Sequence, residues 1–534
     1  MTELPVEKRT YHVPQEDGGV LLDPPRDDLA AQVRANAEGL RALTIELAGR
    51  SLQDLRSAAR QSALSAALEY MGELGLAAPA PSDGPLVVTG HQPHLYHPGI
   101  WLKNFLARWL AREVGGTALN LVVDNDEARH LGLAVPVRTE GRAEKVEVSL
   151  GSHREQLPYE EWRLSDGAAA QAFCDQVAGH LVRDDMRESF ADFAKHFVEA
   201  ARRWSEAATF MTAARCHYEA QFDLANLELP LGRLCETAPF AYFFAHVVSH
   251  LPRFAQAYND ALALYRRVHR IRNPANPLPD LAKGEGWTEA PFWVWRPGEH
   301  RRALTVGLRE SDRVLVDGSD EILRLNEAEL ADGARVAERL AELRQRGYKV
   351  RTRALTTTLF ARVVLGDTFI HGTGGGNYDQ ITDAITGGFF GVEPPGYIVA
   401  SATVCLPFAR EGVTQDHVRK LRWLIRDLHY NPDRHLTHEL KEEPEAKALV
   451  RRKWKWIGRP RGETPFERRE IFVTIRQTNG QLEAKLHDVV DRARSDLTEA
   501  RSALAADAVL GSREYAYCLF PQQLLRDFYS GVLP

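Results

Sequence analysis

The chain of 534 residues exceeds the usual length of one domain, so at least two folding units are expected. Hydrophobic residues make up 44% and charged residues 26%, which excludes a disordered tail, a disulfide miniprotein and a collagen-like chain. The net charge of −6 (67 Lys and Arg against 73 Asp and Glu) disfavours nucleic acid as a general electrostatic partner. Five scattered cysteines with no Cys-x-x-Cys pair indicate reduced thiols rather than a disulfide framework or a zinc knuckle. The polar N-terminus lacks an apolar h-region, and no apolar run is long enough to span a bilayer. A cytoplasmic protein without a membrane partner is the expectation.

Residues 1–28 hold many turn formers and acids and are expected to form an extended arm. From Asp28 to about Leu76, apolar residues recur at steps of three and four (Leu40, Leu43, Leu47, then Leu52, Leu55, Ala59), predicting amphipathic helices. Pro79-Ala80-Pro81-Ser82-Asp83-Gly84-Pro85 breaks the pattern and marks a boundary. Leu86-Val87-Val88 then reads as a strand, Ile100–Val114 as a helix and Leu119–Val123 as a second strand, together a parallel β-α-β crossover. A hairpin is expected over 134–150. Residues 155–270 read as mostly helical, with no strand pattern.

Sheet character returns at 292–295, 303–306 and 313–316. A helix (Ala334–Arg346), a strand (Lys349–Ala354), a helix (Thr357–Leu365), a strand (Thr368–His371), a helix near Tyr378–Phe390 and a strand (Tyr397–Cys405) follow. From Pro407 onward the chain reads as helical. There, Leu482, Leu486, Val489, Ala493, Leu497, Ala500 and Leu504 form a coiled-coil-like seam, either intramolecular or a homodimer contact. The organisation expected is an N-terminal arm and helices (1–85), an α/β core split into 86–150 and 290–405, a helical insertion (151–289) and a C-terminal helical region (406–534).

The densest chemistry lies in Thr89-Gly90-His91-Gln92-Pro93-His94-Leu95-Tyr96-His97, where a parallel strand hands over to a helix. Open α/β sheets bind ligands at such ends, and helix N-termini attract phosphate or carboxylate. His91, Gln92, His94 and His97 supply donors and groups that titrate near neutrality. Some could instead cap the helix or pack in the sheet crevice. A metal site is the other reading of the triplet, with Asp124 or Asp126 as carboxylate ligands. Asp124-Asn125-Asp126-Glu127, closing the next strand, could orient an amine, a ribose or a magnesium ion, or cap a helix.

His371-Gly372-Thr373-Gly374-Gly375-Gly376-Asn377-Tyr378 is a second glycine-rich strand-to-helix turn, expected to expose amides to an anion. It lacks the Gly-Lys-Ser/Thr ending of a P-loop. Three weaker features read as structural. His246 and His250 lack the glutamate of a zinc protease motif, Arg451–Trp456 reads as a solvated basic run, and Cys405 as a core thiol.

Val87-Val88-Thr89-Gly90-His91-Gln92, followed by a helix and an acidic strand end, resembles the bacillithiol biosynthesis cysteine-adding enzymes. The stretch from Leu355 to Pro407, with its glycine turn, Tyr-bearing helix and apolar strand, resembles the corresponding part of that family. Gly90, Gln92, Asp124, Gly372, Gly374 and Tyr378 match its motifs. His91 stands where the family has a first glutamine, and the DNDE run has no histidine. The resemblance implies a Rossmann-like, nucleotidyltransferase-type parallel sheet with a helical insertion and a C-terminal coiled coil. It also implies a ligase joining the cysteine carboxyl to the amine of an aminosugar conjugate, with ATP or another nucleotide as activator. The site expected has His91, Gln92, His94, His97, Asp124 and Asp126 as catalytic groups. Thr89, Gly90, Asn125, His371, Gly372, Thr373, Gly374, Gly375, Asn377 and Tyr378 bind the ligand.

Overall fold

The computed structural model describes residues 8–128, 131–139, 142–151 and 156–534. Two compact units make up the chain. The first comprises Met1–Val135, Glu147–Cys405 and Arg513–Pro534; the second comprises Pro136–Val146 and Leu406–Ser512. The first seven residues of the expected arm and the tip of the expected hairpin lie outside the described residues. The hairpin strands themselves are Gly132–Thr139 and Arg142–Ser149.

The first unit is mixed α/β around a mostly parallel sheet. Its strands are β1 (Val20–Asp23), β2 (Leu86–His91), β3 (Thr117–Val122), β4 (Leu227–Pro230) and, after a second sheet, β10 (Thr368–His371) and β11 (Ile398–Ala402). They lie in the order β1-β11-β10-β2-β3-β4, all parallel except β1, which pairs antiparallel with β11 at one edge. The expected arm is thus partly sheet. Residues 151–289 also contribute a strand: Leu-Glu-Leu-Pro is too short and too mixed to show a period, yet it pairs with Leu119–Val122 as β4.

The intervening strands correct a second expectation. β5 (Trp287–Trp295), β6 (Arg302–Arg309), β7 (Asp312–Asp317), β8 (Asp320–Leu325) and β9 (Lys349–Thr352) form a separate antiparallel sheet in the order β8-β7-β6-β5-β9. Short turns join β6, β7 and β8, and tight hairpins can only pair antiparallel. Only β10 and β11 return to the parallel sheet.

Helices cover both faces of that sheet. α1 (Arg26–Ala42) and α2 (Leu52–Glu73) precede β2, α3 (Pro98–Glu113) links β2 to β3, and α4 (Gly167–His180), α5 (Asp184–Arg203) and α6 (Ala207–Glu219) precede β4. α7 (Ala238–Ser249), α8 (Leu251–Val268), α9 (Gly333–Gln345), α10 (Ala354–Phe360) and α11 (Thr373–Ile385) follow. α2 shows why the periodic reading succeeds. Ser51 caps it by accepting from the Asp54 amide, and Leu52, Leu55, Ala59, Ala63 and Ala67 form its buried stripe.

Leu86, Val88, Leu119, Leu121 and Phe369 share one core with α2, α7, α8 and Ile381 and Ile385 of α11. Val87 and Ile370, which alternate with them, point to the other face, against which α3 packs. From β2 the chain winds outward through α3 to β3. From β10, the neighbour of β2, it winds the opposite way through α11 to β11. Strand order therefore reverses between β2 and β10, and the helices leaving these two strands diverge to opposite faces.

The second unit is helical: α12 (Gln415–Tyr430), α13 (Pro444–Ile457), α14 (Pro465–Ala484) and α15 (His487–Leu510) enclose Leu428, Leu436, Leu482, Leu486, Val490 and Ala493. The expected continuous seam is broken by the turn at Lys485–Leu486. Beyond that turn Val490 takes the inward place expected of Val489, which is 40% exposed, while Ala493 and Ala500 stay buried on the expected seam. A last helix, α16 (Gln522–Val532), belongs to the first unit. Among the described residues no helix is long and apolar enough to cross a membrane. Cys174, Cys216, Cys235 and Cys518 are free thiols, and Cys405 is buried as expected.

Candidate functional site

The two glycine turns end adjacent strands. Thr368, Phe369 and Ile370 pair with Val87, Val88 and Thr89, which brings His371 and Gly90 to the same carboxyl edge, at the point where strand order reverses. Diverging connections leave a crevice at such a point.

On the β2 side, the His91 and His94 rings stand edge to face with centroids 4.9 Å apart, and Tyr96 backs both. Burial holds His91 well below its ordinary value, and the charges of Lys103 and His94 act in the same direction. Burial likewise lowers His94 to about 4. Both are therefore neutral imidazoles at pH 7, able to donate or accept a proton but carrying no charge. Gln92 Nε2 donates to Asp126 Oδ2 at 2.8 Å, and Arg301 Nη2 donates to Asp126 Oδ1 at 2.8 Å. Arg301 in turn lies over the Trp293 ring at 4.7 Å, and Arg353 lies over the same ring at 4.3 Å.

On the β10 side, α11 begins with no side chain capping its first amides, and Gly374 and Gly375 are exposed. Gly375 is dictated by close approach, since a Cβ there would stand 2.6 Å from His371 Nδ1. His371 Nε2 lies 3.0 Å from Asp379 Oδ2, and Arg362 pairs with the same carboxylate, all three side chains being nearly fully buried. The carboxylate fixes which imidazole nitrogen carries the proton, as a second-layer acid does for a ligating histidine.

Several expected ligands have structural roles instead. Thr89 Oγ1 donates to the Ile370 carbonyl across the sheet at 3.0 Å. His97 turns from the crevice to Arg513, whose Nη2 lies 3.1 Å from its Nε2; burial and that guanidinium lower it to about 3. Asp124 Oδ1 accepts from the Gly232 amide at 2.9 Å beside Arg351 and Glu160, and burial pushes its carboxyl up. Gly232 lies in the first turn of the short helix Leu231–Leu234, so Asp124 caps a helix start distant in sequence. Asn125 Nδ2 donates to the Thr352 carbonyl at 2.8 Å. Asn377 accepts from the Tyr11 amide at 2.7 Å and donates back to its carbonyl, tying down the N-terminal arm. Tyr378 is 43% exposed, with Tyr265 beside it.

The metal reading of the histidine triplet loses its geometry, because His97 and Asp124 face elsewhere. Among the described residues, the group of three or more His, Cys, Asp and Glu ligand atoms lying within 4.8 Å of one another is that of Cys216, Glu219 and Glu228. Arg215 already pairs with both of those carboxylates and supplies their positive charge. His246 packs against Phe389 and Phe390, and Arg451–Trp456 is mostly exposed except for Lys453, which pairs with Asp433.

Lys103 is the largest omission from the sequence reading. It sits on the buried stripe of α3 with Leu106, Ala107 and Leu110, is 3% exposed, and its Nζ donates to the Gly90 carbonyl at 2.7 Å. A lysine at a core position of an amphipathic helix was a visible signal. Arg362 gives the same signal inside Leu359-Phe360-Ala361-Arg362-Val363-Val364-Leu365. No protein-family model and no curated protein matches this chain.

Proposed function

We propose that the chain is a small-molecule enzyme that binds an oxyanion in the crevice between the β2 and β10 turns. In its specific form the reading is a cysteine ligase-like enzyme of the bacillithiol type, joining cysteine to an aminosugar conjugate on a Rossmann-like, nucleotidyltransferase-type sheet. ATP or another nucleotide would activate the carboxyl. One observation carries it: two glycine turns some 280 residues apart end neighbouring parallel strands where strand order reverses.

The chemistry follows from the groups present. A phosphate or carboxylate meets the uncapped amides of Thr373, Gly374 and Gly375. Neutral His91 and His94 donate N–H bonds to an oxygen as charge develops on it, a role that a neutral imidazole performs without a prior charge to desolvate. Gln92, oriented by Asp126 and Arg301, supplies a further amide. Of the expected catalytic groups this reading keeps His91, His94 and Gln92, while the hydrogen bonds of His97, Asp124, Asn125 and Asn377 give those four residues framework roles.

The test is a thermal-shift and turnover series with ATP, ADP, cysteine and aminosugars on wild type, His91→Ala and Gln92→Ala. Wild type should be stabilised by a nucleotide or by cysteine, and each variant should weaken that ligand by about tenfold or more. Unchanged affinity and turnover in both variants would defeat the reading, and stabilisation by none of the ligands would favour a non-catalytic scaffold.

Within this reading the protein works in the cytoplasm as a homodimer through its C-terminal helices. Phe466 (77%), Phe472 (60%) and Trp454 (55%) are large apolar side chains left open on α13 and α14, which supports that partner. Phe466→Glu with Phe472→Glu should convert a dimer to monomer in sedimentation analysis, and an unchanged mass would reject this contact.

A further inference from the structure

Lys103 has no electrostatic partner that accounts for its burial. Its ammonium has three protons and one acceptor, the Gly90 carbonyl, and among the described residues it forms no ion pair. Burial alone shifts it, and no neighbouring charge offsets that effect. The groups around α3 explain why. From β2 and its loop, His91, His94 and His97 face it as neutral rings. At the end of β3, Asp126 is occupied by Gln92 and Arg301. From β10, His371 is held by Asp379. Before α16, Arg513 and Glu514 bracket His97, and α16 itself brings Tyr529, which donates to the Pro98 carbonyl. Beyond Asn104, the cluster of Arg215, Glu219 and Glu228 is closed on itself.

An unpaired buried ammonium is costly, and proteins usually neutralise such a group or pair it. Here it bonds the Gly90 carbonyl at the carboxyl end of β2, the sheet neighbour of β10, whose turn opens the uncapped α11. We propose that Lys103 is the counter-charge for the ligand's oxyanion, so that a phosphate- or carboxylate-bearing small molecule completes an ion pair the protein leaves open. This rests on the crevice being the ligand site. The remaining oxygens of the same group meet the amides of Thr373, Gly374 and Gly375.

The pairing has a consequence specific to this lysine. Burial lowers Lys103 to about 7 in the free protein. A bound anion favours the ammonium, so above neutrality binding takes up a proton. Affinity then falls by about tenfold per pH unit until the lysine of the complex itself titrates. Below neutrality affinity is flat.

The experiment is calorimetric titration of the full chain with ATP and, separately, with succinate. It runs from about pH 7.5 to about pH 9, where neither probe titrates, in two buffers of different ionisation heat. At least one probe should bind with the falling profile and an uptake approaching one proton. Lys103→Met should lose at least tenfold in affinity while keeping its circular dichroism. Lys103→Arg, which stays charged, should bind with a flat profile. ATP alone responding assigns a phosphate ligand, and succinate alone a carboxylate. A probe that binds without pH dependence, or equally well to Lys103→Met, overturns the role of Lys103 and leaves the oxyanion crevice intact. Failure of both probes to bind overturns both.

Discussion

Arg362→Met should destabilise the protein by about 3–5 kcal/mol, the usual cost of stranding one member of a buried ion pair. Arg362 is 2% exposed and bonds Asp379, Asp383 and the Pro395 carbonyl, joining the end of α10 to α11 and to the chain entering β11. Without it Asp379 keeps His371 and the Thr382 hydroxyl but no cation of fixed charge, and a buried carboxylate is then driven toward protonation. Desolvation alone would raise Asp379. The Arg362 and His371 partners outweigh it and hold the group below the ordinary carboxylate range. A depressed folded-state value means a contribution present above the unfolded value of about 4 and lost as pH falls toward the folded one. Urea unfolding at pH 7 and at successively lower pH should therefore show wild type converging on the variant in acid. A loss below about 1 kcal/mol at pH 7 would mean that the pair is not the clamp on α11.

Lys103→Met should do the opposite and stabilise the unliganded protein by about 2 kcal/mol at pH 7, because an uncompensated ammonium leaves a dry site and its stem is replaced by an apolar one. The sign follows from the shift. Lys103 lies near 7 when folded, against about 10.4 when unfolded, so the unfolded state binds more protons between those values. Wild-type stability therefore gains with pH across that window, and the advantage of the variant shrinks toward pH 10 on the approximate scale of those two values. Denaturant midpoints at a series of pH values measure it. A variant less stable than wild type at pH 7 would show that the Gly90 carbonyl bond outweighs the desolvation of the charge. A more stable protein that has lost its anion is the pattern of a functional residue kept at the expense of the fold.

Much of the framework was legible because it is local. The three-and-four spacing of α2 and the run Leu86-Val87-Val88 before Gly90 declare their elements within a few residues. So do the two glycine turns, each following its strand directly. What escaped was long-range. Leu227–Pro230 becomes a strand only because β3 offers it a free edge, and β5–β9 close on one another instead of joining the parallel sheet. Val490 rather than Val489 faces inward because a turn at Lys485–Leu486 resets the helix. His97, Asp124, Asn125 and Asn377 have the residue types of a site, but their partners (Arg513, Gly232, Thr352 and Tyr11) lie 108 to 416 positions away in the chain.

By itself, then, the amino-acid order determined most of the helices, the strands β2 and β3, the presence of two glycine-rich strand-to-helix turns, and which residues near them can carry protons. Periodicity and turn chemistry are properties of neighbours along the chain. Only the tertiary structure decided that those turns adjoin, that His91 and His94 pack together on Tyr96 while His97 meets Arg513, and that Lys103 is buried without an ion pair and Arg362 with two. Burial and pairing depend on what distant segments bring to the same few ångströms, and they set both the charge of a side chain and its freedom to meet a ligand.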